Sequence, residues 1–168
     1  MNLAGYIRDV PDFPKAGIVF KDIAPLLGDP AAFAAAVAQM AQAAPQCDAV
    51  AGLESRGFLF GAPLALKLGK PFISVRKAGK LPGPLHAESF ALEYGEATLE
   101  IQRTAFPTGA RVLIVDDVLA TGGTAAAAGR LVISAGGAVA GFSFLLELQF
   151  LGGREKLATA SVSALIRY

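Results

Sequence analysis

Two carboxylates and a glycine-rich turn stand within a few residues of each other in the segment Arg111-Val112-Leu113-Ile114-Val115-Asp116-Asp117-Val118-Leu119-Ala120-Thr121-Gly122-Gly123-Thr124. The aliphatic run before Asp116 reads as a buried strand of a parallel sheet. Asp116 and Asp117 fall at its carboxyl end, where open α/β sheets bind their ligands. The turn Ala120–Thr124 then opens a helix. Glycines there let backbone N–H groups approach an anion, and the helix N-terminus adds oriented donors and partial positive charge. Thr121 and Thr124 add hydroxyl donors. The segment therefore offers acceptors for hydroxyls beside donors for a phosphate, the polarity of a ribose 5-phosphate. It lacks the Gly-Lys-Ser/Thr of a Walker A loop and the Gly-x-Gly-x-x-Gly of a dinucleotide turn. A plain strand-to-helix turn, with its aspartates paired elsewhere, is the bland alternative, and the order of the whole string weighs against it.

Three further segments carry polar groups in useful places. Ala51–Gly61 reads as a strand, a polar turn Glu54-Ser55-Arg56, and a helix. Arg56 could fork onto a diphosphate, helped by Ser55 and the helix N-terminus, although a Glu–Arg pair capping a helix has the same composition. Arg76–Gly83 carries three cations (Arg76, Lys77 and Lys80) and is hinged by Gly79 and Gly83, and Leu92-Glu93-Tyr94-Gly95 follows. Such a stretch suits a lid over an anionic leaving group, and it equally describes a solvated basic hairpin. In Phe13–Ile23 an aromatic residue sits beside short extended backbone, which could stack a purine or anchor an N-terminal arm in the core.

Taken together, these strings resemble the type I phosphoribosyltransferases, and Val112–Thr124 matches their phosphoribosyl-pyrophosphate (PRPP) motif throughout. The strings Arg-Lys-x-Gly-Lys-Leu-Pro-Gly at Arg76–Gly83 and Leu-Glu-Tyr-Gly at Leu92–Gly95 are similar to the adenine-using branch of that family. The resemblance runs from about Asp9 to the C-terminus and weakens after Lys156. It implies a mostly parallel central sheet flanked by helices, a small N-terminal hood over residues 1–30, and a mobile catalytic loop over residues 76–95, all within a single domain of residues 1–168.

By that resemblance Asp116 and Asp117 face the ribose hydroxyls, and Ala120, Thr121, Gly122, Gly123 and Thr124 wrap the 5-phosphate. Glu54, Ser55, Arg56 and Arg76 bind the rest of PRPP, with a non-proline cis peptide at Glu54–Ser55. Lys77, Lys80, Glu93 and Tyr94 join the two aspartates as catalytic residues. Val19, Phe20 and Lys21 surround adenine, with Leu148 on the opposite side. Many relatives carry arginine in place of Lys21, a change that a backbone contact would tolerate. Phe90 stands where relatives often have tyrosine, and His86 is expected to face solvent. The implied reaction joins adenine to PRPP and gives AMP and pyrophosphate. Mg²⁺ is the expected cofactor, held mainly by substrate and water. A homodimer is expected, with Arg76 near the neighbouring site. Action on another purine, or PRPP sensing without catalysis, are the alternatives.

The elements that must position these residues alternate. Helices are expected at Ala31–Ala44, Phe58–Leu68 and Thr124–Ala135, and strands at Asp48–Leu53, Pro71–Val75, Ala97–Arg103, Arg111–Asp117, Ala138–Leu146 and Val162–Ile166. That order defines an α/β fold. The 168 residues suffice for one hydrophobic core. Net charge is +1, from 15 basic and 14 acidic residues, which gives no nucleic-acid footprint. The single Cys47 excludes an internal disulfide and fits a reducing compartment. Residues 30–47 are the longest uncharged stretch, mostly alanine and broken by Gln and Pro, and they lack the bulky apolar content of a membrane span. A cytoplasmic location is therefore expected.

Overall fold

Strand β7 (Arg111–Leu119) is buried along most of its length and lies between β3 (Ala49–Leu53) and β8 (Ala138–Glu147), parallel to both. The structure, a computed structural model, describes residues 1–92 and 94–168. Among them the main sheet has seven strands. β4 (Phe72–Lys77) flanks β3, and β9 (Val162–Arg167) flanks β8, giving a parallel block β4-β3-β7-β8-β9. An antiparallel hairpin of β5 (Leu85–Ala91) and β6 (Glu96–Gln102) extends the β4 edge. A separate hairpin, β1 (Arg8–Pro11) with β2 (Val19–Asp22), forms the N-terminal arm.

Helices cover both faces, so the central strands need no polar side. On one face α2 (Pro30–Ala43) and α3 (Gly57–Leu68) bury Ala36, Met40, Phe60 and Leu64 against Leu113 and Val115. On the other, α4 (Gly123–Ser134) buries Ala127, Ala128 and Leu131 against Val112 and Ile114. Helix α2 starts where Asp29 accepts from the N–H groups of Ala31 and Ala32, with Pro30 in the first turn. Helix α3 ends at Gly69, whose φ of 63° closes the last turn. A short helix α1 (Ala24–Gly28) joins the arm to α2.

The three long helices and all six expected strands are present, with ends shifted by a residue or two. Segment 76–95 differs from its expectation as a single loop. Lys77 closes β4, and Leu85–Ala91 pairs with Glu96–Gln102 over seven residues, leaving Ala78–Pro84 as the turn. Ser89 and Thr98 share a hydroxyl hydrogen bond of 2.7 Å across this hairpin, and Glu88 meets Arg130 of α4 at 2.6 Å. Such pairing depends on the partner strand and on α4, which a local reading of glycine, proline and lysine does not register. His86 consequently lies in β5, half-buried opposite Ile101, rather than in a solvent-facing loop.

Gly57, the first residue of α3, lies against the end of β7. A methyl group there would stand 2.7 Å from the Val115 carbonyl and 3.0 Å from Asp116 Oδ1. Gly57→Ala should therefore push α3 off the strand and destabilise the protein by about 1–3 kcal/mol. Urea denaturation checks this, and an unchanged midpoint would contradict the close approach.

Candidate active site

The carboxyl edge of β3 and β7 gathers the charged residues. Asp117 is almost fully buried, and Arg56 Nε lies 2.9 Å from its Oδ2. That ion pair lacks hydrogen-bond alignment, so Asp117 Oδ2 is a buried acceptor without a hydrogen-bond donor among the described residues. The Asp117 N–H donates to Asp116 Oδ1 at 2.9 Å. Burial raises the pKa of both carboxyls. The charge of Asp117 pushes Asp116 up further, whereas Arg56 works to keep Asp117 ionised.

A cavity of about 310 Å³ brings Ser55, Arg56, Lys77, Asp116, Asp117 and Thr124 together. Phe90 is also in its wall. Next to it, sharing Asp116 and Thr124, is a recess of about 80 Å³ bounded by the turn from Val118 to Ala125. Gly122 has φ 80° directly before α4, so the helix N-terminus opens into this recess without a side chain in the way. The back of the turn rests on Gly153, whose carbonyl a Cβ on Gly122 would strike. Gly153 was not among the expected site residues. Its contribution is backbone alone, and the only trace in the sequence is the pair Gly152-Gly153.

The peptide Glu54–Ser55 is cis, as the resemblance implies. Glu54 lines the same cavity, with its carboxylate engaged by groups of its own chain. Its carboxylate accepts the Lys77 N–H at 2.8 Å and two Arg76 guanidinium bonds at 3.2 and 3.3 Å, and it lies 3.1 Å from Lys80 Nζ. Burial opposes its ionisation, but the Lys77 N–H, Arg76 and Lys80 outweigh that and hold its pKa down to about 2 from 4.5. Glu54 therefore anchors the cations of the β4–β5 turn. Arg76, expected near a neighbouring site, is paired here within its own chain.

The four expected base contacts divide. Val19, Lys21 and Leu148 share a mainly apolar cavity of about 470 Å³ with Tyr168. Phe20, between them on β2, projects the other way; its ring stands 5.5 Å from the Arg56 guanidinium and edge-on to Phe13 at 5.2 Å. Lys21 is occupied by Asp9 at 2.7 Å and by the Tyr168 ring at 3.8 Å. The Leu148 N–H donates to the Leu119 carbonyl at 2.9 Å, tying this side to the end of β7. Tyr94 is 83% exposed at the tip of the β5–β6 hairpin, whose Phe90, Leu92 and Ala97 line the cavity. Glu93 lies outside the described residues.

Carboxylates near the end of β7, beside a glycine turn at a helix N-terminus and with Arg56, Lys77 and Lys80 close by, suit a phosphorylated sugar. The phosphoribosyl transferase domain family matches residues 27–155. The chain is 57% identical over 162 residues to an adenine phosphoribosyltransferase of Thermobifida fusca, covering 95% of this chain and 92% of that one. It is 51% identical to that of a Cyanothece strain over the full length of both. Its fold superposes with a TM-score of 0.95 on the adenine phosphoribosyltransferase of Thermoanaerobacter pseudethanolicus, at 49% identity, covering 99% and 98% of the two chains. A Saccharomyces cerevisiae adenine phosphoribosyltransferase, complexed with an imino-altritol bisphosphate and adenine, superposes at 0.91 with 44% identity, covering 97% and 96%. The chain belongs to the phosphoribosyltransferase family, in its adenine phosphoribosyltransferase branch.

The depressed pKa of Glu54 has a defined sign. Its carboxyl ionises more readily folded than unfolded, so the network contributes stability above about pH 4.5 that is lost as pH falls towards 2. Glu54→Gln should lower the melting temperature at neutral pH and flatten its decline through that window. Thermal melts of both proteins across the window are the check, and parallel declines would remove Glu54 as the titrating group.

Proposed function

We propose that this chain transfers the 5-phosphoribosyl group of PRPP to adenine, giving AMP and pyrophosphate, as a purine-salvage step. The observation that carries the proposal is the buried Asp117 Oδ2, an acceptor without an aligned donor, set beside a backbone cradle of phosphate size. A ribose hydroxyl supplies the donor, and the 5-phosphate on the same sugar fills the cradle. Asp116 and Asp117 orient the ribose and stabilise positive charge as the C1–O bond breaks. Pyrophosphate leaves with the bonding electrons, and adenine N9 bonds to C1 and releases its proton.

Arg56, Lys77 and Lys80 hold the departing pyrophosphate, with Ser55 at the mouth of the same loop. Within the chain Arg56 pairs with Asp117 and Lys80 with Glu54. The diphosphate brings negative charge that draws Arg56 and Lys80 towards itself. Glu54 retains Arg76 and the Lys77 N–H, so the turn stays anchored while Lys80 is exchanged. Fixed charges aimed at developing charge, and reactants held in line, supply most of the catalysis. Phe20, near Arg56, stacks on the base, while the extended backbone of Val19 and Lys21 reads its edge and Leu148 closes the far side. Lys21 serves through its backbone, because Asp9 and Tyr168 occupy its ammonium. Tyr94 belongs to a hairpin that closes over the leaving group, and Glu93 is assigned a catalytic part with it.

No group of three or more His, Cys, Asp or Glu among the described residues could hold a metal by itself. The paired carboxyls suit Mg²⁺ that arrives with substrate and keeps water and phosphate oxygens as ligands. Bound in that way, near Asp116 and Asp117, it would neutralise charge on the leaving diphosphate. A homodimeric enzyme working in the cytoplasm, without nucleic acid or membrane as partner, completes the proposal. No helix among the described residues is long and apolar enough to cross a membrane.

Steady-state assays with PRPP, Mg²⁺ and each nucleobase are the direct test. Turnover is expected with adenine, and turnover with hypoxanthine or guanine but not adenine would overturn the substrate. Asp117→Asn should lower kcat/KM by about two orders of magnitude, and Lys80→Ala by about one or more, with the fold intact by circular dichroism. Wild-type turnover in both would overturn the assigned roles.

A further inference from the structure

The ribose-phosphate turn has little of its own to hold it. Among the described residues no side chain hydrogen-bonds to the backbone of residues 120–124. Its support is the backbone of Gly153, packed so closely that a Cβ on Gly153 would run into the Ala120 carbonyl and the Gly122 nitrogen. The position of the cradle is therefore the position of Gly153.

Gly153 begins a short 3-10 segment, Gly153–Leu157, which is pinned at two points. Leu157 is buried in the same cluster as Leu119 and Ala125, under the start of α4. Arg154 forks onto Glu147, with Nε to Oε1 at 2.9 Å and Nη2 to Oε2 at 2.5 Å, and its Nη1 donates to the Val162 carbonyl at 2.7 Å. The Glu147 carboxylate is 5% exposed and its pKa is lowered, chiefly by the Arg154 hydrogen bonds. Glu147 ends β8 and is paired in register with Leu119, the last residue of β7. The path from Leu119 through the phosphate turn, Gly153, Arg154 and Glu147 thus returns to Leu119 as a closed bracket.

We propose that the Arg154–Glu147 ion pair is a positioning device for PRPP: it sets the Gly153 backbone, which sets the phosphate-binding turn Ala120–Thr124. Neither side chain belongs to the wall of the phosphate recess. The pair touches no reacting atom and acts through the turn alone. This inference rests on the phosphoribosyl-transfer reading above.

Arg154→Lys keeps the charge but loses the fork and the bond to Val162. A cavity of about 490 Å³ beside Arg154 leaves space for the substitution. It should raise the KM for PRPP by about tenfold or more, with kcat and the KM for adenine changed by less than about twofold. A double variant, Glu147→Leu with Arg154→Met, removes both charges together, a change that often preserves stability. It should melt near the wild-type temperature and show the same selective loss, with weaker PRPP binding by calorimetry. If these variants do not fold, Gly153→Ala leaves the ion pair intact and displaces the turn directly, and the same selective loss is expected. An unchanged PRPP KM in any folded variant would overturn the proposal. So would kcat falling with the active fraction while both KM values hold, because that pattern marks a purely structural pair. Wild-type protein that makes no AMP would sink the functional reading itself, an outcome distinct from either.

Discussion

Two adjacent carboxyls taken largely out of water at the end of β7 are the constraint on which the rest of the site depends. A buried carboxylate is costly unless it is paired or hydrogen-bonded, so neighbouring elements must bring countercharge. The β3–α3 turn brings Arg56, and α3 can approach only because Gly57 leaves room against the Val115 carbonyl. The turn after β7 must then supply donors without side chains, hence Gly122 at positive φ and the bare contact with Gly153. The fold places these pieces by sheet register: β3, β7 and β8 run parallel, β3 ending one residue past its Gly52–Val115 pairing and β7 and β8 ending in register at Leu119 and Glu147.

The site's charges find partners within the chain. Arg56 rests on Asp117, and Arg76 and Lys80 rest on Glu54. These pairs differ in how readily they exchange. Arg56 and Lys80 are each close to half exposed, so water screens their attraction and holds down the cost of leaving. Glu54 is buried and keeps a backbone N–H and a forked arginine as partners, so it does not become an orphaned charge when Lys80 departs. The arrangement presents cations to an incoming diphosphate while Glu54 keeps its partners within the protein and Asp117 Oδ2 stays without an aligned donor.

The chemistry at β7 was legible in the sequence because everything it needs is local: an aliphatic strand, two acids and a glycine turn in consecutive positions. Helix limits were legible for the same reason, through Asp29-Pro30 and Gly69. What escaped was non-local. Leu85–Ala91 becomes a strand by pairing with Glu96–Gln102 and leaning on Arg130, more than forty residues away from Glu88. Glu54 was expected to bind PRPP by resemblance alone; that Arg76 and Lys80 also pair with it is visible only in the fold. The base contacts were named as one group, yet alternation on β2 sends Phe20 towards Arg56 and Val19 and Lys21 towards Leu148.

The same non-locality explains why the base side and the phosphate side can work as one unit. Leu148 follows Glu147 directly, and its N–H is bonded to the Leu119 carbonyl at the point where the phosphate turn begins. The segment carrying Leu148, the proposed base contact, therefore shares its anchor with the turn proposed to hold the phosphate. A packed sheet end deforms little, because interior groups are close-packed and hydrogen-bonded. Two ligand fragments held at the two sides of that anchor are held at a fixed separation. For a transfer between them, fixed separation is itself catalytic, since misplacement by an ångström can cost about a hundredfold in rate.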